Sequence, residues 1–124
     1  MTRSGDTKHS LLLIVDDWEA LERYEERLSP RFTMVEGWPM AKEGLHRARE
    51  GGWSAILLDL VFEDVTPAEA VTILKQDPLT SGVPLIVIGS REELERLPLA
   101  ERDQRIFRPF QWPQLEGVCS ALSG

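Results

Sequence analysis

One cysteine, Cys119, occurs in the 124 residues, so no disulfide can form within the chain, and a reducing compartment suits it. Positive charge is in deficit. Fourteen Lys and Arg stand against 21 Asp and Glu, for a net charge of −7, which argues against nucleic acid as a direct partner because that needs a basic face. The aromatic share is low at 7%, and the four tryptophans, Trp18, Trp38, Trp53 and Trp112, are too scattered for a base-stacking platform. No apolar run approaches the roughly 20 residues that span a bilayer. Leu11–Val15 is too short for a signal-peptide core and is followed by acids. His9 and His46 are isolated and have no ligand partner at useful spacing. The expectation is a cytoplasmic protein with no membrane and no nucleic-acid partner.

What is present is an alternation of short aliphatic runs and amphipathic stretches. Lys8–Val15, Arg31–Glu36, Trp53–Leu60, Pro84–Ile88 and Arg105–Phe107 read as strands, and the continuous apolar runs among them fit strands buried on both faces. Between them lie helical patterns. The first covers Trp18–Leu28, with Ala20, Leu21, Tyr24 and Leu28 on one face and Asp16 or Asp17 as the cap. The second starts at Pro39 and turns Met40, Ala41, Leu45 and Ala48 inward, until Gly51-Gly52 ends it. Thr66-Pro67-Ala68-Glu69 opens the third with a capping-box pair and a proline at the first helical position, and Gln76 closes it. Ser90 and Glu93 repeat the capping-box spacing at the start of a short fourth helix, which Pro98 breaks. The fifth covers Pro113–Leu122, with Leu115, Val118, Cys119 and Leu122 facing inward. Five alternating units predict one α/β domain over residues 1–124, with a frayed start at Met1–Thr7 and a parallel sheet carrying helices on both faces.

Two of these runs end in acids: Leu11-Leu12-Leu13-Ile14-Val15-Asp16-Asp17 and Ala55-Ile56-Leu57-Leu58-Asp59. Ligands of open α/β sheets sit beyond the carboxyl ends of the strands, so three carboxylates are expected to converge there. Converging carboxylates repel unless a cation or shared proton intervenes, and a hard, oxygen-liganded ion such as Mg²⁺ answers that need. On this logic, Asp17→Asn or Asp59→Asn should relieve repulsion and stabilise the fold.

The pattern Leu-Ile-Val-Asp-Asp, then Ile-Leu-Leu-Asp-Leu, then Arg108-Pro109-Phe110 resembles the CheY-like receiver domain of two-component response regulators, across the chain from Leu11 to Leu122. The resemblance implies a flavodoxin-like, doubly wound fold of five parallel strands and five helices. It implies that Asp59 is the phosphoacceptor, forming an acyl phosphate. It implies a Mg²⁺ site made by Asp17, by Asp16 through water, by Asp59 and by the carbonyl of Val61. The implied partners are a histidine kinase or phosphotransfer protein, together with a downstream protein or second copy bound through the fourth-helix, fifth-strand and fifth-helix face, where Arg91, Arg96, Arg102 and Arg105 cluster.

The chain departs from the family where phosphate would be sensed. Gly89 stands at the threonine or serine position and has no hydroxyl, and Ser90 beside it is better spaced as a helix cap. Arg108 replaces a lysine, which leaves it either a phosphate contact or a structural partner of the acids. Arg105 holds the aromatic switch position. Phe62-Glu63-Asp64 replaces a methionine-proline segment and adds negative charge. The expected function is therefore an atypical, non-enzymatic receiver that accepts phosphate on Asp59, docks proteins, or does both. The alternative is a degenerate receiver that works without phosphorylation. A haloacid-dehalogenase phosphatase would need a second aspartate two residues after Asp59, where Val61 stands. A flavodoxin-like cofactor carrier would need a phosphate loop where Asp-Asp-Trp-Glu stands.

Overall fold

The structure, a computed structural model, describes residues 9–62 and 64–123. The expected fraying of Met1–Thr7, the strand start at Lys8 and the charge of Glu63 lie outside the described residues. Five strands, β1 (Ser10–Val15), β2 (Met34–Trp38), β3 (Ala55–Asp59), β4 (Leu85–Gly89) and β5 (Gln104–Phe107), alternate with five helices, α1 (Trp18–Leu28), α2 (Ala41–Ala48), α3 (Pro67–Gln76), α4 (Arg91–Glu95) and α5 (Trp112–Ser123). All strand pairs are parallel and the sheet order is β2-β1-β3-β4-β5. This is the doubly wound order of flavodoxin-like folds.

The aliphatic runs explain the layers. Every residue of β1, β3 and β4 is buried, as expected for parallel strands covered on both faces. Strand residues alternate in direction. Leu11, Leu13, Val15, Leu57, Ile86 and Ile88 therefore meet Leu21, Tyr24 and Leu28 of α1 and Leu115 and Cys119 of α5. Leu12, Ile14, Ile56, Leu58 and Val87 meet Ala41, Leu45, Val71, Leu74 and Leu94 of α2, α3 and α4. Burial pushes the Cys119 thiol up to about 12, so the cysteine is core, as its place on α5 predicts.

Three local expectations need correcting. The second strand runs over Met34–Trp38 rather than Arg31–Glu36, because Ser29–Arg31 continues the chain beyond α1 as a 3-10 turn and β2 then pairs Ser10 with Met34 through Ile14 with Trp38. Gly37 lies inside that strand, where a Cβ would approach Leu21 Cδ1 of α1 to 2.6 Å, so a residue that reads as a turn signal is a packing requirement. Helix α2 starts at Ala41, two residues after Pro39. Met40 precedes it at the cap position and is exposed rather than inward. Asp17 occupies the cap position of α1, but its side chain makes no capping hydrogen bond. Both capping boxes form as expected, Thr66 with Glu69 and Ser90 with Glu93.

Candidate functional site

The strand ends create the site. Asp59 is the last residue of β3 and sits beside Val15, the last residue of β1. It points to the same side of the sheet as Leu57, the side covered by α1 and α5. There it is 6% exposed, and both of its oxygens have partners. The Tyr24 hydroxyl of α1 donates to Asp59 Oδ2 at 2.6 Å. Arg108, just past β5, pairs with Asp59 Oδ1 through Nη2. The Arg108 backbone N–H in turn donates to the Gly89 carbonyl at 2.9 Å, and the Arg108–Pro109 peptide bond is cis. Burial pushes the Tyr24 phenol well above its ordinary range, against the opposing pull of the Arg108 and Arg23 guanidiniums, so it remains a donor at neutral pH.

A cavity of about 290 Å³ adjoins this carboxylate, with Asp17, Arg23, Tyr24, Val61, Arg108 and Trp112 among its lining residues. Tyr24 stacks with Phe110 at 6.3 Å between ring centroids and meets Trp112 edge-on at 5.4 Å. Trp18, although it follows the acid pair, is 64% exposed and does not line the cavity.

The two neighbouring acids diverge. Asp16 Oδ1 accepts the Val61 N–H at 2.8 Å and its Oδ2 accepts the Phe62 N–H at 3.0 Å. Asp16 thus pins the loop after β3, and Val61 takes part through its amide. Asp17 lies at the cavity with Asp59, without Asp16. Among the described residues no three His, Cys, Asp or Glu lie close enough to share a metal ion. The Arg108 guanidinium already supplies the positive charge beside Asp59 that a cation would bring. In this arrangement Asp17, Asp59 and Val61 share the cavity, Asp16 is held by two loop amides, and Asp59 faces a guanidinium as well as the neighbouring acid.

On the β4–β5 side, Gly89, Ser90 and Arg105 place no described side-chain hydrogen bond on Asp59. A Cβ on Gly89 would lie 2.9 Å from Glu93 Oε1 and 3.1 Å from Leu94 Cδ2, so a threonine there would have to displace the side chain that completes the capping box of α4. The Ser90 hydroxyl accepts the Glu93 N–H at 3.1 Å as the cap of α4. Arg105 turns away from Asp59 and donates through Nε to the Leu94 carbonyl at 2.7 Å and through Nη2 to the Leu97 carbonyl at 2.8 Å. Of the sequence-predicted site residues, then, Asp59, Arg108, Asp17 and Val61 share one cavity, whereas Asp16, Ser90 and Arg105 serve the backbone. Tyr24 was not anticipated as a site residue. Its signal was a hydroxyl on the buried stripe of α1, where a tyrosine needs a polar partner.

No protein-family model and no curated protein matches the chain. Solved structures do. The chain aligns with a receiver domain of a Pseudomonas aeruginosa sensor histidine kinase, a structure with magnesium coordinated in its active-site cleft, at 17% identity and a TM-score of 0.79, covering 95% of this chain and 99% of that one. It aligns with the Vibrio cholerae chemotaxis protein CheY4 at 15% identity and a TM-score of 0.77, covering 94% and 99%. A response regulator receiver protein from Sinorhizobium medicae gives 17% identity and a TM-score of 0.78, covering 94% of each chain. An adenylate cyclase structure from Rhodopirellula baltica also matches, at 15% identity and a TM-score of 0.76, covering 94% of this chain and 88% of that one. The chain has the CheY-like receiver fold.

Proposed function

We propose that this chain is a receiver-fold signalling module that works by protein docking and holds Asp59 in a fixed ion pair instead of cycling it through phosphorylation. The observation that carries the reading is the double engagement of Asp59. A guanidinium takes one oxygen and a buried phenol the other, so a phosphoryl group would have to compete with a bound partner at either oxygen. The crowding at Gly89 supports the same reading, because no hydroxyl is available there to hold a phosphoryl oxygen. The reading implies neither enzymatic activity nor a Mg²⁺ requirement.

Docking is supported by where apolar surface lies. Trp18, Met40, Val61 and Phe62 are all exposed, and they follow β1, β2 and β3, which are adjacent in the sheet. The other large exposed apolar side chains among the described residues, Met34, Ile73 and Leu79, lie outside α4, β5 and α5, so the carboxyl end of the sheet, which gathers four, is the favoured partner surface. No described helix is long and apolar enough to cross a membrane.

One observation favours a second reading, phosphoacceptance from a histidine kinase or phosphotransfer protein: the cavity beside Asp59 has room for a small anion and is lined by Arg23 and Arg108. Acetyl phosphate, or beryllofluoride with Mg²⁺, separates the two. The docking reading expects an unchanged intact mass and unchanged amide spectra. Modification of Asp59 would overturn it.

A further inference from the structure

We infer that Tyr24 couples the state of Asp59 to the α1–α5 side of the domain, through the rings of Phe110 and Trp112, and that the α4–β5 side is uncoupled from it. The inference rests on the reading of Asp59 as a held carboxylate. Three observations converge. The Tyr24 hydroxyl is bound directly to Asp59 at 2.6 Å, and its ring is 3% exposed, so the phenol cannot swing into solvent without disrupting packing. That ring touches Phe110 and Trp112, which also meet each other edge-on at 5.4 Å. The other Asp59 partner, Arg108, lies two residues before Phe110, so both bonds to the carboxylate lead to the start of α5.

On the opposite side the described link from Asp59 is the Arg108 backbone bond to the Gly89 carbonyl, with no side chain that reads the carboxylate. Gly89 has no side chain to report on Asp59. Arg105 has both of its hydrogen-bonding arms committed to the last carbonyls of the α4 region. A perturbation of Asp59 moves a distant element only if that element contacts something that differs between the two states of the carboxylate. Here that contact is Tyr24.

The indole N–H signals of the four tryptophans provide the test. Asp59→Asn is expected to shift the Trp112 signal and the amides that open α5, while Trp38 and Trp53, packed on the other face, and the amides of α4 stay in place. In a Tyr24→Phe background the same substitution is expected to leave Trp112 no more shifted than Trp38. Arg108→Gln perturbs Asp59 from its other oxygen and serves as the second probe if Asp59→Asn does not fold. A Trp112 shift that survives Tyr24→Phe, or α4 amides that move as far as those of α5, would overturn the inference. Uptake of beryllofluoride by the wild-type chain, together with a Trp112 shift that needs Tyr24, would overturn the docking reading and support this one.

Discussion

Asp59 and Asp103 are the two buried aspartates among the described residues, each 6% exposed, and they occupy opposite ends of one sheet. Asp103 precedes β5 at the amino end. It accepts the backbone N–H groups of Leu85 at 2.9 Å and Ala100 at 2.7 Å and pairs with Lys75 Nζ at 2.8 Å. Asp59 ends β3 at the carboxyl end, its carboxylate accepts from the side chains of Tyr24 and Arg108, and it borders a cavity. Backbone donors are fixed by the fold itself, whereas Asp59 depends on two side chains brought from α1 and from beyond β5. Equal burial therefore conceals opposite roles. Asp103 joins α3, β4 and the approach to β5, and Asp59 closes an ion pair at the edge of a cavity.

The sharpest way to break this comparison is Asp103→Ala. It should cost about 3–5 kcal/mol, because Lys75 loses its counter-charge and two amides lose their acceptor in the interior, and urea unfolding would read it. Asp59→Asn should cost less, about 1–3 kcal/mol, since charged hydrogen bonds are lost but the amide still accepts and water can enter from the cavity. This reverses the stabilisation expected from acid repulsion. An unfolding midpoint above wild type would restore that expectation. Tyr24→Phe should cost about 1.5 kcal/mol, the low end for a hydrogen bond to a charged group, as the ring packing stays and water can reach Asp59 from the cavity. Were it to equal Asp103→Ala, the Asp59 partners would be structural in the same sense. The smallest effect concerns Glu36, whose carboxyl is held below its usual range chiefly by the hydrogen bond from Arg47. A depressed folded-state value means a contribution present above the ordinary glutamate range and lost as pH falls through the folded one. Arg47→Gln should therefore flatten the acid side of a stability–pH profile slightly, because this pair is partly exposed and screened.

Much of the frame is legible in the chain. Continuous apolar runs mark β1, β3 and β4 because strands buried on both faces allow no polar alternation. The Thr66–Glu69 and Ser90–Glu93 pairs mark helix starts because capping is decided within four residues. What stayed hidden depends on partners far along the chain. The bounds of β2 are set by pairing with β1, which no local signal in Arg31–Trp38 reveals. Met40 fits the inward stripe of a helix that in fact begins one residue later. The three acids at the strand ends were legible as neighbours but not as pairs, since Asp16 finds two amides in the loop after β3 while Asp59 finds an arginine and a tyrosine. Arg105 reads as a surface charge until α4 is seen to present its last carbonyls to it.

That contact also bears on how the sheet edge opens. Helix α4 has five residues, well short of the roughly 12–15 at which an isolated helix begins to persist in water. It is capped at one end by Ser90, anchored by buried Leu94, and tied at the other end to β5, an edge strand, by Arg105. Helix and strand are then expected to open together in amide hydrogen exchange. The exchange rate of the Leu94 N–H, bonded to the Ser90 carbonyl at 3.0 Å, then reports whether α4 opens with β5 or alone.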